Sequence, residues 1–321
     1  MRRETVVRTA SVAALGLVVL LVWMGSGRCS GGVVQTPAEQ RADFVLMRAW
    51  QVSHGFALGL LSETRVLPAL FAVWKNDETF VYVDVGAHVG SGCALVAHLW
   101  GRPTLGLLRG WAEEQYVRPR IVAVEPMAGN LKLLAELRDA LPPDTMDVEA
   151  AALSDSSGTV CLERVDENGG GQLASVNVRA DAATCATSAR ATSVDEFWAK
   201  YDLGRVSMFK IDTEGHDPVI LRALRPYLVA DRVDVLLFEV NVMGTWTSTS
   251  LFSVVQDLAE DGFDAFIIGD HRLYALNGPM WSFVYEMREW YNVLAVRRKW
   301  PQRERLLRTF PYVGCDGSMC S

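Results

Sequence analysis

The hydrophobic and polar positions of the chain alternate between short apolar runs and longer amphipathic ones. Phe80–Val85 is rich in β-branched and aromatic residues, as a strand buried on both faces is, and Cys93–Trp100 reads as a helix packed back over it. Arg120–Pro126 predicts a second strand. Ala128–Leu141 predicts a helix with apolar residues at Leu131, Leu134 and Leu137, stopped by Pro142 and Pro143. Asp147–Leu153 predicts a third strand, Gly158–Val165 a further one, and Asp166–Ala191 a Gly- and Ala-rich loop. A helix over Ser193–Tyr201, with Ser193 as its cap and Glu196 three residues on, comes next. A strand at Val206–Ile211, a helix at Pro218–Leu228, a strand at Val233–Val240 and a helix at Leu251–Glu260 complete the pattern. Such alternation predicts an α/β fold with a doubly wound, mainly parallel sheet. Ahead of it, Arg41–Trp74 has helical spacing and follows a short stem from Thr36.

A different pattern occupies the amino terminus. Residues 9–27 carry no charge, and Ala13–Met24 is almost wholly apolar, long enough for a tightly fitted membrane span. Arg2, Arg3 and Arg8 precede it, the arrangement of a signal anchor, and should hold residues 1–8 in the cytoplasm with the body on the far side, in a lumenal or extracytoplasmic space such as the Golgi or ER. A signal peptide cut near Gly25 or Gly27 is the alternative, giving a secreted body. The expected organisation is therefore a cytoplasmic tail at 1–8, an anchor at 9–27, a stem with N-terminal helices at 28–78, a catalytic domain at 79–298 and a tail at 299–321.

Half of the residues are hydrophobic and the net charge is −7, so a sizeable core is available. Four arginines and one glutamate make the first 28 residues positive, which leaves the body more acidic than the whole. That composition argues against a nucleic-acid partner, which calls for a clustered positive face. The six cysteines include Cys161 and Cys185, which bracket a long loop that a bridge could close, and Cys315 and Cys320 in the tail. A free buried thiol is the plain alternative for Cys161 and Cys93. The absence of a Cys-x-x-Cys pair and the scattering of His54, His88, His98, His216 and His271 argue against zinc.

In a doubly wound sheet the ligand lies outside the carboxyl ends of the strands. Those ends carry acids: Asp84 before the loop Gly86-Ala87-His88-Val89-Gly90, Glu125 after the second strand, Ser154 and Asp155 after the third, Asp212 to His216 after the fourth, and Glu239 with Asn241 after the fifth. A carboxylate such as Glu125 at a strand tip can accept hydrogen bonds from both hydroxyls of a ribose. A dinucleotide turn has G-x-G-x-x-G, whereas the spacing here is Gly86-x-x-x-Gly90-x-Gly92 with Asp84 beside it. An acid there repels a pyrophosphate and suits a sulfonium and an ammonium group. S-adenosylmethionine is the cofactor these features predict.

The succession Val83–Gly90, Val124–Pro126, Ala152–Asp155, Thr192–Asp195, Phe209–Asp217 and Phe238-Glu239 resembles the FkbM family of S-adenosylmethionine-dependent methyltransferases, over about Phe80 to Arg298. Lys210–Asp217 is the specific part of that resemblance. The resemblance implies a Rossmann-like class I methyltransferase fold and transfer to a hydroxyl oxygen of a sugar or small metabolite. It also implies that Asp84, Gly86 and Gly90, with Ala87 and His88 between, line the methionine moiety, that Glu125 takes the ribose, and that Asp155 beside Ser154 lies near the adenine. The insertion at 101–118, the loop at 166–191 and the tail depart from the family and bear on the acceptor pocket.

Transfer to an alcohol calls for a base near the donor methyl. Asp212 can accept the proton or position the donor, His216 can act as base, and Lys210 can pair with a neighbouring acid. For His216 a helix-start role, and for Lys210 and Glu214 a structural ion pair, are the plain alternatives. Glu239 can orient the acceptor or, with Asp212, bind a metal. The acceptor implied by family and compartment is a glycan, a glycoconjugate or a small molecule. A non-catalytic binding or adaptor protein and a nicotinamide-dependent oxidoreductase are the other classes that share this fold; the intact acids weigh against the first and the loop spacing against the second.

Overall fold

The computed structural model describes residues 36–54, 62–74, 79–100, 119–163, 175–177, 185, 187–269, 272–287 and 290–310. They belong to one folded unit, Val34–Ser321. Helices α1 (Pro37–His54) and α2 (Ser62–Val73) precede β1 (Val81–Val85) and α3 (Ser91–Trp100). Next come β2 (Arg120–Val124), α4 (Ala128–Ala140), β3 (Met146–Glu149), β4 (Ala152–Ser154), β5 (Gly158–Glu163), β6 (Ser175–Asn177) and β7 (Ser188–Ser193). They are followed by α5 (Val194–Lys200), β8 (Val206–Ile211), α6 (Asp217–Val229), β9 (Val233–Val240) and α7 (Leu251–Glu260). The last elements are β10 (Phe263–Ile268), β11 (Leu273–Ala275), β12 (Tyr291–Arg297) and α8 (Arg303–Thr309).

The main sheet has the order β11-β10-β12-β9-β8-β1-β2-β3. Pairing is parallel from β3 through β2, β1 and β8 to β9, while β12 runs antiparallel between β9 and β10. The order reverses between β1 and β8, so the crevice lies outside their carboxyl ends. The fold is Rossmann-like with a mostly parallel sheet. Its antiparallel β12 departs from the order of a dinucleotide-binding sheet, whose sixth strand continues the fifth.

Strand alternation sends side chains into two cores. Val83, Val85, Phe209, Ile211, Leu236 and Phe238 pack on α5, α6 and α7. Tyr82, Ile121, Ala123, Met208, Val235 and Leu237 pack on α2, α3 and α8. Phe80 stacks on Trp100 with ring centroids 3.8 Å apart and meets Trp74 edge-on at 4.9 Å, which fixes α2 and α3 against the start of β1. At α5 the expected cap is present: Ser193 Oγ accepts from the Glu196 amide at 3.2 Å. Glu196 turns its own carboxylate to Ser157, whose hydroxyl also accepts from the Ser193 amide.

Several expected elements are corrected. The run predicted as one strand over Asp147–Leu153 is two, β3 at the edge of the main sheet and β4 in a second sheet of order β4-β7-β5-β6. The predicted loop 166–191 contains β6 and part of β7, because small residues there pair with β5 and β4. The expected tail at 299–321 contributes to the core through Trp300 and through α8, whose Leu306 and Leu307 are buried. The Cys161–Cys185 bridge is present, with Cα atoms 5.6 Å apart, so Cys161 is no free thiol, whereas the buried Cys93 keeps a thiol that donates to Asp84. Residues 9–27, Cys315 and Cys320 lie outside the described residues; among those described, no helix is long and apolar enough to cross a membrane.

Candidate active site

The loops after β1 and β8 meet at the point of strand reversal. The Asp212 amide donates to the Val85 carbonyl at 2.9 Å, and a Cβ on Gly86 would stand 1.8 Å from the Asp212 carbonyl oxygen. Gly86 has φ +78 and Gly90 φ +85, and a Cβ on Gly90 would stand 2.9 Å from the methyls of Leu134 and Leu137 on α4. Both glycines are therefore required by the protein's own packing.

Asp84 sits beneath this loop, 1 % exposed. Its Oδ1 accepts from Lys210 Nζ at 3.1 Å and its Oδ2 from the Cys93 thiol at 3.3 Å. The β1–β8 register pairs Asp84 with Lys210, and the ammonium also lies 3.4 Å from Asp212 Oδ2. Lys210 is thus held between two carboxylates, those of Asp84 and Asp212. A buried charge persists only with such compensation. Asp212 has a side chain 33 % exposed and is the acid of this trio that reaches solvent.

Four amides of the loop are already used. Gly86 and Ala87 donate to the Val124 carbonyl at 2.9 and 3.1 Å, and Gly90 to the Ala87 carbonyl at 2.8 Å. His88 donates its amide to Glu125 Oε2 at 2.9 Å, while Glu125 Oε1 accepts from the Met127 amide at 2.9 Å and Asn130 Nδ2 at 3.3 Å. A turn built to cradle phosphate leaves its N–H groups open; this one does not. Glu125, 4 % exposed, ties the β1 loop to the start of α4, and burial raises its pKa against those three donors. A carboxylate has about four lone-pair sites, so three donors leave room for one hydroxyl, fewer than the two ribose contacts the sequence suggested.

Across the crevice, Asp212, Glu214 and Glu239 bring carboxylate oxygens within 4.8 Å of one another, the single grouping of that kind among the described residues and the set that could share a cation. Protonation is another way to relieve the repulsion. Burial, then Asp212 and Asp217, push Glu214 up to about 7. Burial, then Asp212, Asp217 and Glu214, push Glu239 up to about 9, while Asn241 donates to its Oε2 at 2.8 Å. Fully buried Asp217, raised to about 7 by burial and Asp212, accepts from Thr213 Oγ1 at 2.9 Å and from the Glu239 amide at 3.4 Å. Glu239 is therefore a neutral acid at neutral pH, able to donate a hydrogen bond.

The two candidate histidines separate. His216 is 2 % exposed, its Nε2 is 3.0 Å from Ser154 Oγ, and burial lowers it to about 4. Its ring makes no helix-cap bond, so it clips β4 to the start of α6. Ser154 is fully buried in that contact and bonds the exposed Asp155 at 3.2 Å. The structure gives Ser154 no open face toward an adenine. His88 adopts φ +50, which histidine tolerates better than most residues, and is half-buried. Burial, then the Lys210 ammonium, lower its pKa against the pull of Asp212, so it lies within electrostatic reach of that ion pair.

Solved structures similar to the chain include the methyltransferase FkbM of Methylobacillus flagellatus KT, at 12% identity and a TM-score of 0.41 over 68% of this chain and 43% of that one. The precorrin-6y C5,15-methyltransferase of Geobacter metallireducens GS-15 is similar at 14% identity, with a TM-score of 0.35 over 75% of this chain and 92% of that one. An rRNA methylase of Streptococcus thermophilus is similar at 11% identity, with a TM-score of 0.36 over 72% and 92%. The chain spans less than half the length of the first of these. No family model and no curated protein matches it.

Sequence reading missed Asn130, which sits 3 % exposed one turn into α4 and helps hold Glu125. A polar residue beside the apolar stripe of α4 was its signal.

Proposed function

We propose that the protein is an S-adenosylmethionine-dependent methyltransferase that methylates a hydroxyl oxygen of a glycan or small metabolite. One observation carries the reading. At the strand reversal four loop amides, those of Gly86, Ala87, His88 and Gly90, are consumed internally while carboxylates collect around them, so the crevice suits a cation bearing hydroxyls and opposes a pyrophosphate. The residues present fit this cofactor: Glu125 keeps room for one ribose hydroxyl, and Asp212 with the loop from Ala87 to His88 would face the methionine end.

When bound, the donor supplies an activated methyl group, so the protein's task is alignment and removal of one proton. Asp212, ion-paired to Lys210 and open to solvent, offers the accepting oxygen. Neutral Glu239 donates a hydrogen bond that orients the acceptor. Lys210 holds Asp212 and Asp84 apart in charge and fixed in place.

We place the body on the far side of a membrane, anchored by residues 9–27; the Cys161–Cys185 bridge supports an oxidising compartment. Calorimetry of the full chain with S-adenosylhomocysteine tests the cofactor, and NADH binding without binding of the sulfur ligand would overturn it. A screen with labelled donor against glycans, small alcohols and RNA then identifies the acceptor, and Asp212→Ala should abolish that transfer while the fold survives.

A further inference from the structure

Helix α1 is apolar on two faces. Gln40, Phe44 and Met47 turn inward at helical spacing: the Gln40 amide donates to the Ala275 carbonyl at 2.8 Å and to the Tyr285 hydroxyl at 2.7 Å. Phe44 is fully buried and edge-on to Tyr274 and Tyr285, with ring centroids 5.3 and 4.9 Å away. A helix whose core face is met in this way is ordinarily polar outside. Ala42, Val45 and Leu46 instead form a second apolar stripe, with Val45 45 % and Leu46 69 % exposed. Together with Arg41 and Val284 they line an open apolar groove. Phe283, next in the chain, is 84 % exposed.

The acids of this region are engaged elsewhere. Asp43 accepts from Arg272 at 2.8 Å and Tyr274 at 3.1 Å. Glu286 caps α7, accepting from the Ser250 hydroxyl and the Phe252 amide at 2.9 Å each. Single exposed apolar residues such as Val229 are ordinary, but a set running from one helix onto the adjoining turn marks a contact surface.

We infer that this face, centred on Val45, Leu46 and Phe283, lies against the lipid bilayer at the headgroup–acyl boundary. The inference rests on reading residues 9–27 as a membrane span. Position in the chain selects lipid over a protein partner: only residues 28–36 separate the apolar run from Pro37, a reach of roughly 30 Å when extended, so α1 is the described element tethered nearest that run. The chemistry agrees. Arg41 at the rim suits phosphate headgroups, and the exposed Phe283, with the half-buried Trp281 in contact with the exposed Phe252, gives this end of the molecule aromatic surface.

The test uses the full chain in phosphatidylcholine–phosphatidylserine vesicles, with p-benzoylphenylalanine placed at Leu46, Phe283 or, as control, Val229. After flotation and irradiation, lipid adducts at positions 46 and 283, well above those at 229, are expected by mass spectrometry. Flotation with adducts no greater than at 229 overturns this inference alone, and protein–protein adducts in their place assign the face to a second protein. Failure of the unmodified chain to float overturns the anchor reading and this inference with it.

Discussion

The carbonyl oxygen of Asp212 occupies the place where a side chain on Gly86 would begin, 1.8 Å from the position of a Cβ. The two loops that build the crevice are therefore fitted to each other backbone to backbone before any ligand arrives. Gly86→Ala adds a clash of about 1–3 kcal/mol to a left-handed penalty of about 1–2 kcal/mol, and should destabilise the protein by at least about 2 kcal/mol. Gly204→Ala, into open space, should leave the unfolding midpoint close to that of the wild type. Denaturant unfolding of both variants checks the contrast.

Glu125 links the same loop to α4. Glu125→Ala should weaken S-adenosylhomocysteine binding in calorimetry, and it should also speed hydrogen exchange at the His88 and Met127 amides in the ligand-free protein. A pure ribose contact would leave that exchange unchanged, so the second measurement separates a ligand contact from a loop clip.

Glu239 predicts a pH dependence of stability. Its proton is held more tightly in the folded state, about 9, than at the ordinary 4.5, so its contribution is full at low pH and is lost as pH rises toward about 9. Glu214 and Asp217 act with the same sign but are spent by about 7. His216, lowered to about 4, acts with the opposite sign and is spent by about 6.5. Above neutrality Glu239 is the member of this set still titrating. Thermal unfolding between about pH 7 and pH 9 should show a falling midpoint that Glu239→Gln flattens.

The bridge between Cys161 and Cys185 spans 24 residues of chain. Replacing both cysteines by serine should cost about 2–4 kcal/mol of stability. Addition of dithiothreitol should lower the unfolding midpoint of the wild type and leave that of the double variant unmoved.

His216 and Ser154 form a buried pair away from solvent. Ser154→Ala leaves the ring without that partner and should cost about 1–3 kcal/mol. Once an acceptor is known, His216→Asn should retain a wild-type pH profile of transfer; loss of the acidic limb in that variant would restore His216 as the base.

The central strands were legible from residue order alone, because a strand buried on both faces is written as a nearly continuous apolar run: β1, β2, β8 and β9 stand where Phe80–Val85, Arg120–Pro126, Val206–Ile211 and Val233–Val240 predicted them. The acids at their ends, and the sense of a charged crevice, follow from the same reading. Short or small-residue strands were not legible. β6 and β7 carry serine, alanine, threonine and asparagine, and take their conformation from pairing with β5 and β4, which no local pattern encodes.

At the site the sequence determined which chemical groups are present, and tertiary structure decided how they are spent. Residue spacing placed Gly86 and Gly90 in a turn, yet only the packed sheet shows that Asp212 and α4 are what exclude their side chains. Sequence offered His216 as a base, and burial against Ser154 makes it a clip. Burial, together with the close approach of Asp212 and Glu214 from two strand ends, raises Glu239 to about 9 and turns a carboxylate into a hydrogen-bond donor. Burial and charge proximity are properties of distances between segments remote in the chain, and those distances exist only once the sheet has formed.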